Sequence, residues 1–137
     1  MKATDLMIDD WVEYGEYITT VRNLSNVIVL SGCIGRLEEV RPVPLTPKIL
    51  EKNGFHINGI KEKVPTVIND WSDDTYVWSR QETPDEKMMV SVYMDDINNF
   101  FVEVICQYCH VNGIHIRYVH ELQHTLKLCQ IIKEIVL

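Results

Sequence analysis

Hydrophobic residues in the N-terminal part of the chain come in short runs of strand length. "WVEYGEYITTV" holds two such runs around Gly15, and Val27 to Leu30 is an apolar, β-branched run. "IGRLEEV" then alternates, with Ile34, Arg36, Glu38 and Val40 on one parity. Short strands at this spacing, across residues 7–41, predict a small barrel or curled antiparallel sheet of the SH3-like kind.

The pattern changes at "VPLTPKILEKNGF". Thr46 is suited to cap a helix, because its hydroxyl can accept from an orphan backbone N–H. Pro47 fits the first helical position, where its missing N–H costs nothing. Leu45 and Leu50 have the spacing of a hydrophobic staple. Asn53-Gly54 ends the helix, with Gly54 taking a left-handed conformation. A helix of about two turns persists only when docked on other structure.

Beyond it, Val64 to Ile68, Tyr76 to Trp78 and "MMVSVYM" read as strands, with Arg80 to Lys87 a polar loop. "NFFVEVICQYCHVNGIHIRYV" reads as a hairpin turning at Asn112-Gly113. Phe100, Val102, Val104, Cys106 and Tyr108 share one face of its first strand, and Glu103, Gln107 and Cys109 the other. Val119 to about Cys129 is helical, and "IIKEIVL" either extends that helix or forms a closing strand. The expected fold is therefore α+β: an N-terminal SH3-like curled antiparallel sheet, a short linking helix, and a second antiparallel sheet. The C-terminal helix is expected to pack on that second sheet through Val119, Leu122 and Leu126. The chain reads as a single domain over 1–137, with subdomains 1–45 and 46–137 as the natural division.

Composition narrows the function classes. A net charge of −7 with no run of Lys and Arg argues against non-specific nucleic-acid binding and against docking on an anionic membrane. No stretch approaches the roughly 18 apolar residues of a membrane span, and "MKATDLMIDDW" lacks a signal-peptide pattern. The expectation is a cytoplasmic protein. In that compartment Cys33, Cys106, Cys109 and Cys129 are expected as reduced thiols rather than disulfides.

Several motifs carry candidate chemistry. "HELQH" is H-E-x-x-H, which on a helix sets His120 and His124 one turn apart as zinc ligands, with Glu121 as general base for a bound water. Zinc would bring that water's pKa near neutrality, and the reaction would be hydrolysis of a peptide or amide. A catalytic zinc needs a third protein ligand, and the only carboxylate after His124 is Glu134, about 15 Å along a continuing helix. The stripe Val119, Leu122, Leu126, Cys129 faces the core, which turns both histidines towards solvent. Cys106-x-x-Cys109-His110 spells a c-type haem attachment pattern, and Cys106, Cys109, His120 and His124 approximate a two-Cys, two-His finger. A strand would point the two cysteines to opposite faces, against the haem reading, and a finger needs its CxxC in a tight knuckle where here an Asn-Gly hairpin separates the pairs. Trp71, Tyr76 and Trp78 lie among Asp70, Asp73 and Asp74, either as sheet packing or as an aromatic-walled site. Asp73-Asp74 and Asp95-Asp96 read as acidic turn residues.

Three islands resemble a family of small uncharacterised proteins of gut anaerobic bacteria and their phages or mobile elements. "LMIDDWV" is similar to L-x-I-G-(D/N)-W-V, "PVPLTPKILEKNGF" to P-I-P-L-T-x-x-(I/W)-L-x-K-x-G-F, and "VHELQHTLKLC" to V-H-(Q/E)-L-Q-(N/H) with a hydrophobic helix. The resemblance brings no established activity. Its members often read H-Q-L-Q-N, which implies that Glu121 and His124 are replaceable. Asp9 stands where the pattern has Gly, which would alter a turn before Trp11. Gln130 stands where a Gly often ends the last helix, which implies a longer helix here.

These readings converge on a non-enzymatic cytoplasmic interaction protein without a cofactor. It would have a protein partner, no nucleic acid and no membrane, with homo-oligomerisation left open. The alternative is a small zinc-dependent hydrolase using His120, His124 and Glu121.

Overall fold

The structure is a computed structural model that describes residues 5–24, 28–57, 75–83, 86–94, 99–106 and 110–137. It is α+β, with two five-stranded antiparallel sheets and a C-terminal helix. The chain divides into two compact units: 1–45 with 118–134, and 46–117 with 135–137. The expected strand at Val64 to Ile68, and Trp71, the paired aspartates, Gln107, Tyr108 and Cys109, lie outside the described residues.

In the first unit, β1 (Trp11–Tyr14) and β2 (Tyr17–Leu24) form a hairpin around Gly15. β3 (Ile28–Leu30), β4 (Cys33–Gly35) and β5 (Val40–Pro42) complete the order β4-β3-β2-β1-β5. The alternating "IGRLEEV" is not one strand. It divides into β4, a 3-10 turn at Leu37–Glu39, and β5, which crosses over to pair with β1. Alternation alone could not reveal this, because the turn keeps Leu37 packed on the core while the backbone changes direction. That core is Leu6, Val12, Val21, Ile28, Leu30 and Val40, the inward parity of the strands.

The C-terminal helix α2 (Val119–Leu128) belongs to this first unit, not to the second sheet as its sequence position suggested. Val119, Leu122 and Leu126 are buried as expected. The Val119 N–H donates to the Val43 carbonyl, and Tyr118 bridges Pro44, so the strand leaving β5 anchors the helix start.

The second unit begins with α1 (Pro47–Lys52). Thr46 Oγ1 accepts from the Ile49 N–H at 3.3 Å, and Pro47 sits in the first turn. Gly54 ends the helix with φ 81°. The sheet order is β10-β9-β8-β7-β6, from β6 (His56–Ile57), β7 (Thr75–Thr83), β8 (Glu86–Met94), β9 (Phe100–Ile105) and β10 (His110–Ile116). Most of the expected polar loop Arg80 to Lys87 is strand, because β7 and β8 pair as far as Thr83 and Glu86.

Phe100, Val102 and Val104 are buried on one face of β9, as their parity requires, but Glu103 on the opposite face is buried too. Its carboxylate meets His110 Nε2 at 3.2 Å. The β9–β10 reversal falls between Ile105 and His110, and Asn112-Gly113 sits within β10. The register slips between Val111 and Ile114, and Gly113 has φ 76°, so the dipeptide makes a bulge rather than a turn.

Residues after α2 neither extend it nor form a strand. In the second unit, Val136 is held by Asn53. The Val136 N–H donates to Asn53 Oδ1 at 2.7 Å, and Asn53 Nδ2 donates to the Val136 and Ile49 carbonyls, each at 2.8 Å.

Candidate functional site

Both ends of α2 are defined by local chemistry. At the N-terminus, Glu121 sits at the third helical position, and its Oε2 accepts the Tyr118 N–H at 3.1 Å. This is the carboxylate half of a capping box, and it places a negative charge at the positive end of the helix. At the C-terminus, the Ile131 N–H donates to the Leu126 carbonyl at 2.8 Å and the Gln130 N–H to Lys127 at 3.0 Å. This is a Schellman arrangement, with Gln130 in the left-handed position at φ 57°. The helix therefore stops where a Gly would stop it, correcting the expectation of a longer helix.

The histidine face is not solvent-exposed. His120 is 5% exposed and Gln123 9%. The cover is the segment leading into β1. Asp10, fully buried, places Oδ2 2.7 Å from His124 Nε2 and accepts the Met7 N–H at the same oxygen. Gln123 clamps the same segment: its Oε1 accepts the Trp11 N–H at 3.1 Å and its Nε2 donates to the Asp9 carbonyl at 3.0 Å. Lys127 Nζ adds a bond to the Ile8 carbonyl.

The segment is shaped by Asp9, whose φ of 73° lets its N–H reach the Val21 carbonyl at 2.7 Å. Asp9 and Gln130 are the two non-glycine residues with positive φ among those described.

Tyr118, His120 and His124 form a ring cluster. Tyr118 and His120 are nearly parallel at 5.8 Å between centroids, and His124 meets His120 edge-on at 5.5 Å. With Asp5, Pro42 and Glu121 they line a cavity of about 350 Å³ within the first unit.

Two buried polar atoms here have no hydrogen-bond partner among the described residues: His120 Nδ1 and Asp10 Oδ1. Burial pulls the His120 pKa below its ordinary value, outweighing the opposite pull of Asp10 and Glu121, so this imidazole is neutral at pH 7. With Nε2 protonated, His124 donates to Asp10 Oδ2.

Comparison with protein-family models, curated proteins and solved structures finds nothing that matches this chain.

The three sequence-predicted site residues come together, but in other roles. Glu121 caps its own helix. His124 engages Asp10 through Nε2, and His120 stacks on Tyr118 and meets His124 edge-on. Among the described residues no group of three or more His, Cys, Asp or Glu side chains is arranged to hold a metal ion. The finger reading also draws on Cys109, which lies outside the described residues.

Asp10 and Gln123 are the members of this cluster that sequence reasoning passed over. Asp10 offered only one signal, an acidic residue directly before a strand that begins with Trp11. Gln123 lay inside the motif but carries no part of zinc chemistry.

Proposed function

We propose that the protein is a non-enzymatic, cytoplasmic protein-interaction module whose first unit is an SH3-like curled sheet. The observation that carries this reading is the occupation of the H-E-x-x-H groups within the fold: Glu121 on the Tyr118 N–H and His124 on Asp10. Zinc and water chemistry through Glu121 Oε2 and His124 Nε2 would require these contacts to be given up. The strand order β4-β3-β2-β1-β5, with a 3-10 turn before β5, is what an SH3-like sheet would have.

Exposed apolar side chains in the same unit suit a protein contact, with Tyr17 and Ile18 on β2 and Ile34 on β4. Among the described residues β4 ends the sheet order, and an edge strand is where a partner's strand can add. No helix among the described residues is long and apolar enough to cross a membrane. The link to phage or mobile-element biology rests on the three islands alone.

Affinity capture from the native host, with purified partners re-tested one by one, examines the interaction directly. A single stoichiometric protein partner is the expected result. Metal analysis of untagged protein tests the alternative. One zinc per chain whose removal lowers the melting temperature would replace this reading with the hydrolase.

A further inference from the structure

Asn53-Gly54 and Asn112-Gly113 are both among the described residues, whereas Asn58-Gly59 lies outside them. An asparagine followed by glycine is open to attack on its side-chain amide by the next backbone nitrogen, because glycine has no Cβ to hinder ring closure. We propose that Asn112 is a site of spontaneous covalent modification, converting through a succinimide to aspartate and isoaspartate, and that the fold protects Asn53 from the same reaction. This goes beyond the interaction reading and does not depend on it.

The reaction needs only water. The Gly113 backbone nitrogen gives up its proton to solvent and bonds to Asn112 Cγ. The Cγ–Nδ2 bond breaks, and Nδ2 leaves as ammonia. Water then opens the ring at one of its two carbonyl–nitrogen bonds. Opening at Cγ leaves aspartate. Opening at the backbone carbonyl leaves isoaspartate, whose main chain runs through Cγ and is one methylene longer.

Three features of the fold separate the two pairs. The first is the backbone. β10 pairs with β9 through Val111 and Val104, then through Ile114 and Val102, and the register slips between. Asn112 and Gly113 fall in that slip with no register partner on β9, on a strand that ends its sheet order among the described residues. The Gly54 nitrogen, by contrast, donates to the Glu51 carbonyl at 3.1 Å.

The second is the side chain. Asn53 Nδ2, the group that must leave, donates to the Ile49 and Val136 carbonyls, and Oδ1 accepts the Val136 N–H. Asn112 is exposed, and no hydrogen bond ties its side chain among the described residues.

The third is space. A Cβ built on Gly113 would meet nothing within 4 Å, so the five-membered ring has room to close. The same position on Gly54 meets Trp78 Cδ1 at 3.9 Å. Either product at position 112 adds one negative charge to the chain's −7, and isoaspartate also lengthens β10 between its two paired halves.

The test incubates the full chain at mildly alkaline pH, below its melting temperature. Peptide mapping by mass spectrometry, with fragmentation that separates aspartate from isoaspartate, follows Asn112, Asn53 and Asn23. Asn23 precedes Leu24 and serves as the hindered control. Asn112 should convert at least about tenfold faster than Asn53, since a local opening that costs Asn53 only about 1.4 kcal/mol already delays it tenfold. Unfolding in guanidinium chloride should bring the two rates together, because both residues are then exposed Asn-Gly pairs.

Equal rates for Asn112 and Asn53 in the folded chain would overturn the proposal, as would an Asn112 no faster than Asn23. A difference that persists in guanidinium chloride would overturn it too, since flanking sequence and not the fold would then set the rates.

Discussion

Asp10 and His124 are 114 residues apart in sequence, and their side chains meet at 2.7 Å with the carboxylate fully buried. The pair is asymmetric. Removing His124 leaves a buried carboxylate with only the Met7 N–H, whereas Asp10→Asn removes the charge and keeps both hydrogen-bonding directions. We expect His124→Ala to destabilise the protein by about 3 kcal/mol and Asp10→Asn by about 1 kcal/mol. Urea unfolding of both variants checks the order, and equal losses would show that the carboxylate's burial does not set the cost.

Asp9 and Gln130 hold left-handed backbone without being glycine. Asp9→Gly and Gln130→Gly should each raise stability, by about 0.5–1 kcal/mol, because glycine meets no Cβ penalty there. The ion pair that Asp9 makes with Arg22 at 3.3 Å is exposed on both sides and contributes little against this gain. Denaturation midpoints that fall in both variants would contradict it.

His120 gives a pH signature. Its folded pKa is depressed, so as pH falls below the ordinary histidine value of 6.5 the unfolded chain takes up the proton first. Stability from neutral His120 is complete above that value and declines as pH drops towards the folded pKa. His120→Phe should flatten the pH dependence below about pH 6.5. At pH 7 it should leave stability equal or up to about 1 kcal/mol higher, since a buried unpartnered nitrogen is removed. Urea midpoints across a pH series provide the check, and an unchanged slope would assign the acid sensitivity to other groups.

The Asn53 side chain makes three hydrogen bonds among the described residues while the residue is 7% exposed. Asn53→Ala should cost about 2–3 kcal/mol, from several lost bonds and the unpaired Val136 backbone. Deleting residues 135–137 removes much of the same interaction, so the two changes should combine less than additively. A double-mutant cycle measures that coupling.

Much of the architecture was legible because its signals are local. Thr46, Pro47 and Gly54 fixed α1 through capping and backbone conformation, and Gly15 and strand parity fixed β1 and β2. The wheel of α2 identified Val119, Leu122 and Leu126 as buried, and it located the histidines opposite them. It could not say what covers that second face, because the cover comes from the other end of the sequence. Asn112-Gly113 misled for a related reason. Positive φ suits a turn and a bulge equally, and only the pairing of β9 with β10 distinguishes them. Gln130 occupies a glycine conformation because the Schellman bonds around it outweigh the residue's own preference.

The clamp made by Gln123, His124 and Lys127 on residues 8–11 also sets an order of events. During synthesis β1 and β2 leave the ribosome long before α2 exists, and Asp10 has no imidazole to meet. The intervening chain, including all five strands of the second sheet, must emerge first. Contacts of such sequence separation are of the kind that forms slowly. The α2 clamp thus ties β1 to a helix that follows it by more than a hundred residues.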